Sequence, residues 1–179
     1  MVSLSAFVYR GGLIESKHKA ICLVKNISNK VILSTNNEDH LVYPRSAIKI
    51  FQALPFINSN AHALFDLSEE NIAISCSSHA GELRHIRVLN EWVNKTGIHI
   101  HQLKCGIHNP LNEKSSNKLL LSGNIPTQLH NNCSGKHLGM ISGCLANRMD
   151  IDNYINFNHP YQQLIRDSME HFMESKIQG

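Results

Sequence analysis

The stretch Tyr43–Pro55, YPRSAIKIFQALP, decides how the chain is read. Pro44 sits where a helix begins well, because its φ is already helical and its missing N–H would have no partner there. Ala47, Ile48, Phe51 and Leu54 recur at three- and four-residue steps, the apolar stripe of a helix with one buried face. Ser46 and Lys49 are three apart on that helix, so hydroxyl and amine share a face within mutual reach. A serine beside a lysine can serve as nucleophile and base once the amine has lost its proton. At neutral pH this asks an ordinary lysine pKa of ~10.4 to fall by about three units, on the order of 4 kcal/mol.

The pattern alone is cheap. Ser-x-x-Lys occurs three times, at Ser16/Lys19, Ser46/Lys49 and Ser115/Lys118. The first lies in a Lys- and His-rich polar segment and the last in a polar Asn/Ser/Lys run, where a solvated face explains both. Only Ser46/Lys49 opens an apolar helix behind a proline.

Composition narrows the class. A chain of 179 residues can bury a core as one domain. The net charge is +3 with acids and bases interspersed, so no basic stripe suggests nucleic acid or a membrane surface. No apolar run has the length of a membrane span, and residues 1–12 lack the charged start and apolar centre of a signal peptide. Five cysteines, an odd number, point to reduced thiols and a cytoplasmic setting.

Outward from the central stretch, the chain before it reads as strand. Residues 3–9 alternate, Gly11-Gly12 permits a bend or bulge, and the apolar runs 20–24 and 31–33 flank turn chemistry at 26–30, a hairpin. Residues 36–39 read as a polar loop. After it, the apolar run Ile72-Ala73-Ile74 ends abruptly in Ser75-Cys76-Ser77-Ser78-His79. A serine before a helix is ordinarily a cap, but two serines and a histidine exceed one cap and suit a proton-passing cluster. Leu83, Ile86, Leu89 and Val93 line a helix that Gly97 stops. Residues 98–105 alternate as a half-buried strand does, with His99 and His101 on one face, as a wet edge or a metal pair. Residues 109–117 read as loop, leading to a short helix end at 119–121 before Gly123. Cys133 then precedes a helix carrying Leu138, Ile141 and Leu145, with Lys136 and His137 in its first turn. The positive helix end and two cationic neighbours favour a thiolate there, as nucleophile or as metal ligand with His137; a capped helix beside a buried cysteine explains the same residues. Asn158-His159-Pro160 opens the last helix, with Leu164, Ile165, Met169, Phe172 and Met173 facing the core.

Taken together, YPRSAIKIFQALP, CSSHAGE, CGIHNP, HNNCSGKH and the NHP before the last helix occur in the order and near the spacing of a known family. From Arg10-Gly11-Gly12 almost to its end the chain resembles the rhizobial-type (thermolabile, type II) L-asparaginases. The resemblance implies an α/β (α+β mixed) fold like the serine β-lactamases and penicillin-binding proteins, whose active-site helices also start with Ser-x-x-Lys: a mixed sheet with flanking helices. It implies a cytoplasmic hydrolase of amino-acid metabolism converting L-asparagine to L-aspartate and ammonia, with no nucleic acid or membrane partner. Ser46 is then the nucleophile, Lys49 its basic partner and Ser78 a second serine in the proton network. Arg45 and His137 lie near the substrate, and Cys133 and Lys136 are two ligands of a Zn²⁺ ion. Family chains are close to twice as long, and their second halves supply a further zinc-ligating cysteine, an aspartate near the metal and more strands. The expectation is therefore a single truncated domain, residues 1–179, with a sheet incomplete at the C-terminus and the third zinc ligand missing. Such a chain acts alone, as a homodimer or with a separately encoded half; otherwise it is a non-catalytic remnant or a small-ligand or metal-binding module.

Overall fold

The computed structural model describes residues 3–35 and 40–177, so the polar loop expected at 36–39 lies outside the described residues. The chain divides at Tyr43/Pro44 into two compact units.

The first unit holds two antiparallel hairpins. Strand β1 (Leu4–Arg10) pairs with β2 (Leu13–Ala20), and β3 (Leu23–Lys25) pairs with β4 (Val31–Ser34). Gly11 and Gly12 form the two-residue turn with φ of +55° and +83°, a conformation open to glycine at little cost and matched to the right-handed twist of a hairpin. A register shift between Val8 and Tyr9 is the bulge foreseen near those glycines. In the second hairpin Asn26 Oδ1 accepts from the N–H groups of Ser28 and Lys30, an Asx turn that closes the loop. Each of these sheets has two strands, and no strand of the described residues joins them into one.

The second unit is helical. A 3-10 turn (Arg45–Ile48) runs into α1 (Lys49–Asn58), followed by α2 (Ala61–Leu64), α3 (Glu69–Ser75), α4 (Leu83–Thr96), a 3-10 turn at Ile100–Gln102, α5 (Glu113–Leu121), a 3-10 turn at Gln128–His130, α6 (Ser134–Ala146) and α7 (Pro160–Met173). The molecule is thus mixed, with helix dominant. Two readings are corrected. Residues 98–105 are not a strand: Ile98 and Leu103 are buried at the ends of a 3-10 turn, a spacing that short alternation imitates, and the His99 and His101 rings stack at its exposed surface. Residues 109–117 are not all loop: Asn112 Oδ1 accepts from Ser115 N–H and caps α5.

The core lies between Phe56 and Ile165, with Phe56, Leu89, Trp92, Leu138, Ile141, Tyr154 and Tyr161 fully buried. Helix α6 is its axis. Of its thirteen residues all from Ser134 to Cys144 except Lys136 are buried, and α1, α2, α3, α4 and α7 pack around it. Gly135, Gly139 and Gly143, four apart, share one face. A Cβ at Gly135 would stand 2.4 Å from the Ile74 carbonyl oxygen, and one at Gly143 would stand 2.5 Å from the Tyr161 ring. Gly135 therefore sets how close the end of α3 comes to the start of α6.

That approach can be tested. Gly135→Ala gains about 1 kcal/mol of helix propensity but collides with backbone, which cannot swing aside. The clash wins, and a net loss of about 1–3 kcal/mol is expected in thermal unfolding. Gly139→Ala meets its nearest atom at 3.4 Å, an ordinary contact, and should be neutral or stabilising. Equal midpoints for the two variants would contradict the close approach.

Candidate active site

Pro44 caps the 3-10 turn through its carbonyl, which accepts from Ala47 N–H. Arg45 lies in the left-handed region at φ +47°, unusual for a residue with a Cβ. It directs the chain so that Ser46 is exposed while Lys49, one turn on, is 3 % exposed. Lys49 Nζ donates to the Ser77 carbonyl and to Ser78 Oγ, each at 2.7 Å. Ser78 Oγ in turn pairs with Ser46 Oγ at 3.2 Å. Lysine and nucleophile candidate are thus joined through the second serine, not by the direct contact that their spacing suggests. No carboxylate lies within 4.0 Å of Lys49 among the described residues. A buried amine held by a carbonyl and a hydroxyl, with an exposed serine at the far end, is the geometry of a proton relay.

Ser77 and Ser78 come from the segment after α3, whose start is a capping box between Ser68 and Asn71. The adjoining wall is the start of α6. Cys133 is its N-cap residue, half-buried, and its N–H donates to Asn131 Oδ1. Asn131 Nδ2 donates to the Cys105 carbonyl, so one side chain ties the two cysteine segments together. Burial holds the Lys136 amine below the usual lysine range, and Lys49 pushes it further down, while the Cys133 and Cys105 thiols act the other way. Burial pushes the Cys105 thiol up to about 11.

His137 is 6 % exposed. Burial first, then the Lys136 and Lys49 cations, bring its pKa down to about 3, so it is neutral at physiological pH. Tyr154 Oη accepts from Lys104 N–H at 2.9 Å and shares a hydrogen bond with His137 Nδ1 at 2.6 Å. Arg45 is exposed with no ion-pair partner among the described residues.

Of the sequence-derived candidates, Ser46, Lys49 and Ser78 are joined by hydrogen bonds, Lys136 and His137 lie near enough to Lys49 to feel its charge, and Arg45 has no hydrogen-bond partner in the group. The family model for L-asparaginase II matches residues 6–179. The chain belongs to the L-asparaginase II family. Among curated proteins no match is found. Family membership supports an asparaginase-type function in general and implies a small-molecule substrate such as asparagine.

The zinc that resemblance to the asparaginases implies finds few donors. Those that the resemblance names are Cys133 and Lys136, and no group of three or more His, Cys, Asp or Glu suited to a metal occurs among the described residues. Zinc in proteins takes four ligands, or three and a water, so this pair falls short of such a site. One contributor to the candidate site carries no signal near the motifs. Tyr154, hydrogen-bonded to His137, sits seventeen residues from it, whereas Ser134, inside HNNCSGKH, meets a histidine fifty-five residues away that its motif does not announce.

Proposed function

We propose that the chain hydrolyses L-asparagine to L-aspartate and ammonia through an acyl-enzyme on Ser46. The single observation that supports this is the unbroken chain Lys49 Nζ–Ser78 Oγ–Ser46 Oγ, at 2.7 and 3.2 Å. Once its ammonium has given up a proton, Lys49 draws the Ser46 proton through Ser78 as Ser46 Oγ attacks the carboxamide carbon. The tetrahedral oxyanion is met by backbone N–H groups at the start of the 3-10 turn. The proton returns along the same path to the leaving nitrogen, and ammonia departs. Water then attacks the aspartyl ester, its proton passing to Lys49, and L-aspartate is released as Ser46 regains its own.

Arg45 suits the substrate α-carboxylate, which a guanidinium can grip with two hydrogen bonds. His137, buried and neutral, is assigned to the substrate side of the pocket. The reading carries with it a serine β-lactamase-like arrangement of the whole catalytic domain, in which a serine-lysine turn opens a buried helix. Cys133 and Lys136 are assigned to the wall beside this pocket, and no step is routed through a metal.

The test is ammonia release from L-asparagine by the purified chain, with Ser46→Ala as the blank. An aspartyl adduct on the Ser46 peptide, trapped at acid pH and read by mass spectrometry, is expected. Absence of both ammonia and adduct at any protein concentration overturns the reading and leaves a non-catalytic member of the family.

A further inference from the structure

We propose that His79 is a positioning residue that holds Ser78 in line between Lys49 and Ser46 by tying its segment to the first residue of α6. The inference rests on the serine-lysine reading of the site, but on different atoms. His79 follows Ser78 directly and is 4 % exposed. Its Nδ1 accepts from Gly81 N–H at 3.2 Å, which closes a tight turn just after Ser78. With Nδ1 an acceptor, the proton sits on Nε2, which donates to Ser134 Oγ at 2.8 Å. Ser134, fully buried, donates onward to the Leu129 carbonyl at 3.1 Å. Every donor and acceptor in this path has one assignment, so the path works as a brace with a single state.

The brace matters because little else fixes Ser78. Its side chain is exposed, and its only hydrogen-bond partners among the described residues are the two it has to connect. The segment before it is already pressed onto α6 at Gly135, where the Ile74 carbonyl leaves no room for a side chain. Gly81 is similarly confined, since its φ is +71° and a Cβ would stand 3.0 Å from Pro110. Contact at Gly135 fixes the distance between the walls; the His79–Ser134 bond fixes the rotation of the turn that presents Ser78. A relay that spans two hydroxyls tolerates little misplacement, and about 1 Å can cost on the order of 10²-fold in rate.

The test follows the reactivity of Ser46 itself. The full chain is treated with a fluorophosphonate, which phosphonylates an activated serine, and the rate of labelling at Ser46 is read by mass spectrometry alongside kcat and KM for L-asparagine. His79→Ala is expected to slow labelling and kcat by about tenfold to a hundredfold, with KM changed by less than about threefold. His79→Gln, whose amide can donate to Ser134 Oγ from near the Nε2 position, is expected to recover labelling to within about threefold of the parent. Ser134→Ala keeps the imidazole but removes its acceptor, and about a threefold to tenfold loss is expected; it decides the matter if His79→Ala does not fold. A folded His79→Ala that labels at the parent rate overturns the proposal. So does a Gln variant that falls as far as Ala, which would assign the loss to packing, and so does a parent chain that does not label at Ser46. If the parent labels and the variants follow the expected order but no ammonia appears, the substrate reading fails and the brace stands.

Discussion

Lys49→Met is expected to reduce kcat for asparagine hydrolysis by about 10³-fold or more while the protein stays folded. A positioned general base contributes about 10²–10⁴-fold, and here the same amine also returns the proton to the leaving group, so its loss strikes both halves of the reaction. A thousandfold loss corresponds to about 4 kcal/mol of transition-state stabilisation. Stability should move much less. The methionine fills the same channel without a buried polar head, and the Ser78 hydroxyl, being exposed, can turn to water. Only the Ser77 carbonyl loses a partner, at a cost of about 1–3 kcal/mol offset by the amine no longer being desolvated. Lys49→Arg is the sharper control. Its guanidinium cannot give up a proton, so a variant that keeps charge and length should be as inactive as the methionine. Activity within tenfold of the parent in either variant would remove Lys49 from the mechanism, as measured by single-turnover ammonia release.

The second large effect concerns pH and stability. Burial, then the His85, Lys49, His108 and His130 charges, bring the His79 pKa from 6.5 to about 4. Burial also lowers His85 and His130. Between pH 6.5 and 4 the unfolded chain therefore takes up protons at these residues that the folded chain refuses, so unfolding gains as pH falls. The stability due to neutral His79 is complete above pH 6.5 and is lost as pH falls towards 4, with a slope reaching about 1.4 kcal/mol per pH unit for that one residue. Thermal midpoints measured from pH 7.5 to 4 should decline accordingly, and His79→Gln should flatten the decline. Glu170 acts lower down: Lys176 holds its carboxyl below 4.5, so its share is lost only as pH falls beneath that value. A parent midpoint that is flat from pH 7 to 5 would contradict a neutral, buried His79.

Much of the helical unit was legible because its signals are local. Gly97 does end α4 in the left-handed conformation, His159-Pro160 opens α7, and Cys133 immediately precedes α6, with Lys136 and His137 in its first turn. The hairpin turns were legible for the same reason. Local reasoning failed where a short pattern admits two structures. Four apolar positions alternating over 98–105 fit a 3-10 turn between two buried ends as well as a strand, and Asn112 was overlooked as a cap because its helix is polar on most sides. The apolar run Ile72 to Ile74 belongs to α3, a helix announced by Ser68 and Asn71 rather than by its apolar residues.

The site divides in the same way. Ser46 and Lys49 are neighbours in sequence, but their connection runs through Ser78, which is 29 residues from Lys49 and comes from another segment. The Ser-Ser-His cluster suggests a proton-passing serine and resemblance selects Ser78; the three-residue spacing of Ser46 and Lys49 suggests a direct contact instead. The His79–Ser134 and His137–Tyr154 pairs are tertiary, 55 and 17 residues apart, and nothing in either segment announces the other. Single-sequence periodicity reports which face of an element is buried. It does not report which buried polar groups meet.

Trp92, the chain's sole tryptophan, is fully buried in the helical unit with its indole N–H donating to Ser142 Oγ at 3.0 Å. Ultraviolet emission excited at the red edge therefore reports on that unit: it will shift to longer wavelength when water reaches the α4–α6 contact, while the two N-terminal hairpins carry no tryptophan. Circular dichroism sees both. A gap between the two melting curves would count the cooperative units directly, without a label or a cut in the chain.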